Sequence, residues 1–220
     1  MSNFKILTAR QQKFLDAFSK TSDLSKIFYL SGGTTLAEYY IPYRYSEDLD
    51  FFSDKDIETE PLIVFTKSLK NSLNYNTFDF NTSFNRNLIF LNFGDEVLKT
   101  EFTYFPFTPI ENPKLVNGVL VDSVLDIAVN KLFTIYQKPR SRDFMDLYMI
   151  INKYPYSLEN IISKAKSKFD WNIDPIKLGT QFLLAKELKD YPKLMEPIDE
   201  NKWQAFFEEA AKNLGERIFE

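Results

Sequence analysis

Asp48 and Asp50 stand two residues apart in the run Ser46-Glu47-Asp48-Leu49-Asp50-Phe51-Phe52. On a strand such residues share a face, so both carboxylates point one way while Leu49 and Phe51 point into a core. Like charges on one face are unfavourable without a compensating cation, and divalent ions provide that compensation. Upstream, the apolar run Ile27 to Leu30 ends in Ser31-Gly32-Gly33-Thr34. Glycines let a backbone approach a ligand closely, and a helix starting just after them offers N–H groups and a positive dipole end to a phosphate. A glycine turn entering a helix, followed by a strand with two acids, reads as a nucleoside triphosphate site. The turn would hold the outer phosphates and the acids magnesium. Arg44 and Ser46 precede the acids and could contact phosphate, although Arg44 also suits an ordinary loop. Taken singly, the two acids also fit a solvated strand face, and Gly32-Gly33 a plain turn.

Composition narrows the chemistry. The 220-residue chain has no Cys and no His. That excludes thiolate nucleophiles, cysteine zinc sites, imidazole general bases and Ser-His-Asp triads. Catalysis must use carboxylates, lysine, arginine, hydroxyls or a metal on oxygen ligands, which favours a hard ion such as magnesium. The net charge of −4 argues against whole-surface nucleic-acid binding and leaves a local basic patch open. No apolar run approaches a bilayer span, and the N-terminus lacks a signal-peptide core. A cytoplasmic protein without membrane contact is expected.

The elements that must position these residues fall into two halves. Helices are expected at residues 9–19, 35–41 and 60–73, and strands at 27–30, 49–53, 75–82, 87–93, 97–105 and 119–121. Thr35 with Glu38 fits a capping box. Helices follow at about 123–136, 141–152, 157–169, 175–188 and 200–217. The expected fold is therefore α+β: a mixed sheet with flanking helices, then a C-terminal helical bundle. The domain boundary is set at 118/119, giving domains 1–118 and 119–220.

The helical half adds candidates of its own. Lys131 shares the apolar stripe of Val124, Ile127, Ala128 and Ile135, so it must snorkel or meet an anion; a triphosphate is one such anion. Asp143 sits in a first helical turn, where the dipole favours an acid. Asp146 lies among Phe144, Met145, Leu147 and Tyr148, and a buried carboxylate there needs a cation, for which Lys131 and Arg142 are available. Lys138, Arg140 and Arg142 form a candidate basic groove.

The glycine turn and the Asp-x-Asp strand together resemble the nucleotidyltransferase superfamily related to polymerase beta. That resemblance implies a third carboxylate on a neighbouring strand. Glu101, in Val97-Leu98-Lys99-Thr100-Glu101-Phe102-Thr103-Tyr104, is the best candidate and shares its face with Lys99 and Thr103. The similarity extends further. Phe28-Tyr29-Leu30-Ser31-Gly32-Gly33-Thr34-Thr35-Leu36-Ala37, Arg44 to Phe52, and downstream Lys131 with Arg142-Asp143-Phe144-Met145-Asp146-Leu147-Tyr148 resemble the AbiEii family. These are nucleotidyltransferase toxins of type IV toxin–antitoxin systems. The likeness runs over roughly residues 10–155.

The resemblance implies a magnesium-dependent enzyme that moves a nucleotidyl group from an NTP onto an acceptor such as the tRNA 3′ end, with a cognate antitoxin as partner. It implies that Asp48, Asp50 and Glu101 bind metal. Ser31, Gly32, Gly33, Thr34, Arg44, Ser46 and Lys131 would hold the nucleotide, with Asp143 or Asp146 as a further functional acid. Two alternatives stand beside it: transfer to a protein or small-molecule hydroxyl, and an inactive nucleotide- or partner-binding module.

Overall fold

The computed structural model describes residues 6–216. The chain divides between Ser123 and Val124 into two compact units.

The first unit is built on a seven-stranded mixed sheet in the order β3-β4-β5-β2-β1-β7-β6. Its strands are β1 (Tyr29–Ser31), β2 (Leu49–Ser53), β3 (Thr77–Ser83), β4 (Arg86–Asn92), β5 (Val97–Tyr104), β6 (Lys114–Val116) and β7 (Val119–Val121). The central β2 runs antiparallel to β1 and parallel to β5. The domain boundary read from the sequence precedes β7; that strand pairs in parallel with β1, and the unit runs on to Ser123. β6 falls outside the expected strands. Its hairpin to β7 turns on Asn117 and Gly118, at φ 50° and 79°, the left-handed pair that a two-residue hairpin requires.

One face of the sheet is apolar. Phe51 of β2 stacks on Phe102 of β5 at 4.7 Å between ring centroids and 5° between planes. α1 (Ala9–Phe18) lays Phe14 and Phe18 against this pair, with Phe18 at 4.5 Å from Phe51. Thr8 and Gln11 form a reciprocal capping box that fixes where α1 begins. α2 (Ser22–Ser25), absent from the sequence reading, leads into β1. The expected helix at residues 60–73 is two pieces, α4 (Thr59–Ser68) and α5 (Lys70–Leu73).

The helix expected at residues 35–41 differs in start and shape. It begins at the glycines as α3 (Gly32–Thr35) and continues as a π-helical turn over Leu36–Tyr40. Thr35 therefore lies inside the helix, and the Thr35–Glu38 capping box does not form. Thr35 Oγ1 donates to the Ser31 carbonyl at 2.6 Å, and Glu38 accepts from the backbone N–H groups of Ile6 and Leu7.

The second unit is helical: α6 (Val124–Gln137), α7 (Ser141–Lys153), α8 (Leu158–Phe169), α9 (Pro175–Leu183) and α10 (Glu200–Glu216). Residue 217 of the last expected helix lies outside the described residues. The helix expected over residues 175–188 ends earlier, closing with a 3₁₀ turn at Leu184–Lys186. Phe144 of α7 and Phe182 of α9 meet Phe207 of α10 at 4.8 and 5.3 Å, and these buried rings with Trp203 fill the bundle. Among the described residues, no helix is long and apolar enough to cross a membrane. The α+β architecture expected from the sequence is the one observed: a mixed sheet with flanking helices, then helices alone.

Candidate functional site

The sheet has a second face, and the acids lie on it. Asp50 pairs with Ser31 on one side and with Glu101 on the other. Residues directly opposite share a face, so Ser31, Asp50 and Glu101 form one row across three strands. Asp48 immediately precedes β2, and its carbonyl accepts a 2.5 Å bond from the buried Thr34 hydroxyl. That bond ties the acidic segment to the glycine turn. Gln11 of α1 anchors the same segment, donating to the Glu47 carbonyl at 2.8 Å.

Both glycines are dictated by what lies against them. Gly32 adopts φ +75°, and a Cβ there would come within 2.5 Å of Asp50 Oδ2. The Asp50 carboxylate thus rests directly on the turn. A Cβ on Gly33 would fall 2.1 Å from Arg44 Nη2 and 3.2 Å from Ser46 Oγ. Arg44 is buried beneath the turn and donates to the Tyr45 carbonyl at 3.0 Å. Ser31, Gly32, Gly33, Thr34, Arg44, Ser46, Asp48, Asp50 and Glu101 are therefore gathered in one place on the first unit.

Two cations sit among the acids. Lys99 Nζ meets Asp48 Oδ2 at 2.7 Å. Arg86 grips Glu101 with two parallel bonds of 2.6 and 2.5 Å, and the Thr103 hydroxyl adds a third at 2.8 Å. Burial alone would push the Glu101 carboxyl up, but the bonds from Arg86 and Thr103 hold it below its ordinary value. A further acid, Asp122, is fully buried at the end of β7 and accepts from Ser31 Oγ at 2.6 Å. The sequence reading passed over Asp122, Lys99 and Arg86 as site residues. Lys99 was legible as a face-mate of Glu101; Arg86 needed the β4–β5 register.

Among the described residues, no three acids converge closely enough to chelate an ion by themselves. The donor set nonetheless suits magnesium brought in with a triphosphate. That ion is commonly held by one or two carboxylates, with phosphate oxygens and water completing the shell. Asp48 and Asp50 offer the two carboxylates, half-buried and beside the glycine turn.

On the second unit, Lys131, Asp143 and Asp146 form a cluster of their own. Lys131 Nζ lies 2.7 Å from Asp143 Oδ1 and 2.7 Å from Asp146 Oδ2, and both acids are wholly buried. Arg140 adds bonds of 2.8 and 3.2 Å to Asp143. Burial would push the Asp143 carboxyl up, yet Lys131 and Arg140 hold it below its ordinary value. Lys131 thus meets its anion inside its own unit. A second buried pair, Lys168 with Asp126 at 2.6 Å, was not foreseen.

Comparison with known proteins agrees with this architecture. The Aquifex aeolicus (strain VF5) protein "Uncharacterized protein aq_aa25" is 31% identical over 152 residues, spanning 67% of this chain and 68% of its own. The crystal structure of JHP933 from Helicobacter pylori shares the fold, with TM-score 0.61, 20% identity, and 94% of this chain and 90% of that one covered. The family model "Nucleotidyl transferase AbiEii toxin, Type IV TA system" matches residues 13–216, which takes in the sheet with its glycine turn and acids and the helices that follow. The chain belongs to the AbiEii family of nucleotidyltransferase toxins of type IV toxin–antitoxin systems.

Proposed function

We propose that the chain transfers a nucleotidyl group from a magnesium-bound nucleoside triphosphate to the 3′ end of a tRNA, and that a cognate antitoxin restrains it. The observation that carries this reading is the seating of Asp50 on Gly32, where a Cβ would lie 2.5 Å from its carboxylate. A metal-binding acid and a phosphate-binding turn then address the same few ångströms.

In this reading Asp48 and Asp50 hold the ion, and Glu101 completes the acidic row. When bound, magnesium would screen the triphosphate charge and make the α-phosphorus more electrophilic. The Gly32-Gly33 backbone receives the outer phosphates, Thr34 fixes the turn against the acids, and Arg44 and Ser46 support it from below. The acceptor hydroxyl oxygen bonds to the α-phosphorus as the bond to pyrophosphate breaks. Pyrophosphate leaves with the electron pair, and the hydroxyl proton passes to a carboxylate of the acidic row. Such catalysis is mostly positioning and electrostatics, so a chain without His is not disadvantaged. Asp143 and Asp146 organise the helical unit through Lys131.

The test incubates purified protein with each α-labelled triphosphate, magnesium and total tRNA. Label should enter tRNA from at least one nucleotide, and chelation of magnesium should abolish it. Label entering protein instead would change the acceptor. No incorporation from any of the four would remove the activity.

A further inference from the structure

Asp48 and Glu101, on the acidic face, are each paired to a cation of this chain. Fold stability does not account for the Lys99–Asp48 pairing, and it leaves the Arg86 side chain half in water. Lys99 and Asp48 are each about one-third exposed, at 31% and 34%. The Arg86 side chain is 50% exposed while Glu101 is 9%. The Lys99–Asp48 pair, with so much solvent access at both ends, contributes little to stability. Both cations come from the strands that flank the acids: Lys99 from β5, and Arg86 from the start of β4, opposite Thr103 and diagonal to Glu101.

We propose that Arg86 and Lys99 are triphosphate-binding residues. Paired to Glu101 and Asp48, they keep those acids from binding a metal ion until a triphosphate draws them away. This rests on the triphosphate reading of the site. The chemistry of each side chain fits the exchange. A guanidinium presents the same planar fork to a carboxylate and to two phosphate oxygens. An ammonium on a flexible stem is a mobile point charge suited to phosphate. A triphosphate offers each of them more charge and more acceptor oxygens than one carboxylate. Glu101 has both oxygens engaged by Arg86, and one of them also by Thr103, so it binds metal only once Arg86 has left. The consequence is ordered binding: metal and nucleotide enter together, and free metal alone is poorly held.

Two titrations on the full-length chain test this, with R86Q and K99Q beside wild type. In the first, manganese alone is added to nucleotide-free protein by calorimetry. Each variant should bind it about tenfold tighter than wild type, because an acid has lost its internal cation. In the second, non-hydrolysable α,β-methylene analogues of ATP, GTP, CTP and UTP are added with manganese at saturation. Each variant should bind the accepted analogue about ten- to a hundredfold more weakly, and R86K should fall between R86Q and wild type. Should R86Q fail to fold because Glu101 is left unpaired, R86Q/E101Q is compared with E101Q alone, and the same loss of analogue affinity is expected. If the accepted analogue binds wild type and both variants equally, Arg86 and Lys99 are scaffold and the inference is wrong. If wild type binds none of the four, the triphosphate site itself is wrong and the inference falls with it.

Discussion

Each unit brings acids and cations together, and the two clusters differ most in burial. On the sheet, Asp48 and Asp50 are half-buried, and the Lys99 paired to Asp48 reaches water. In the helices, Asp143 and Asp146 are wholly buried around a lysine that is itself buried. A half-exposed ion pair exchanges partners at little cost, since water stabilises the intermediate states. A buried one does not, because separating it leaves a charge unpaired in a low-dielectric interior. On the proposed function, this difference puts turnover on the sheet and scaffolding in the helices.

The sharpest way to break this comparison is to neutralise the sheet acids. Asp48→Asn and Asp50→Asn should each lower transfer by about a thousandfold or more. Melting temperature should barely move, since both side chains are solvent-accessible. Turnover near wild type in both variants, with magnesium dependence intact, would overturn the assignment.

The helical cluster should respond the other way round. Lys131→Met leaves two buried carboxylates without their shared partner and should cost about 3–5 kcal/mol of stability, read from urea denaturation. Adding Asp143→Asn and Asp146→Asn to the same chain should restore much of the loss. Full stability with transfer abolished would instead move Lys131 into the reacting machinery.

Acid should expose the same cluster. The Asp143 carboxyl is held below its ordinary value of 3.8, so the unfolded chain takes up that proton first. Its contribution to stability is fully present above pH 3.8 and is lost as pH falls through the lower folded value. Asp143→Asn should flatten the pH dependence of the melting temperature in that range. An unchanged slope would mean that the Lys131 and Arg140 contacts do not persist in solution.

The smallest effect concerns the acceptor. Of the three basic residues near the start of α7, Arg140 is committed to Asp143; if the acceptor is the proposed tRNA, Lys138 and Arg142 are the two left to reach its phosphates. Reversing either charge should lower the slope of log affinity against log salt by about one. An unchanged slope would remove these two from the acceptor surface.

Much of this was legible in the sequence because the patterns involved are local. Asp48 and Asp50 read as one face from strand periodicity, and Phe51 as core for the same reason. Asp146 read as buried because apolar neighbours surround it on every side of its helix. The Asn117-Gly118 hairpin signal was equally local, although the strand before it was passed over. What could not be read was register. Nothing in Arg86 indicates that β4 slides it beside Glu101, and nothing in Asp122 indicates that β7 enters beside β1 and brings it to Ser31. The start of α3 was misread because Thr35 and Glu38 fit a capping pattern, while Gly32, with φ +75° and Asp50 against its backbone, is where the helix begins.

The central claim is that Asp48, Asp50 and the Gly32-Gly33 turn hold one metal–triphosphate complex, and anomalous diffraction tests it most directly. A crystal grown with manganese and a non-hydrolysable triphosphate analogue should show a manganese peak bridging Asp48 and Asp50. The outer phosphates should lie against the Gly32-Gly33 backbone. A manganese peak elsewhere, or a triphosphate bound away from the glycine turn, would contradict the account.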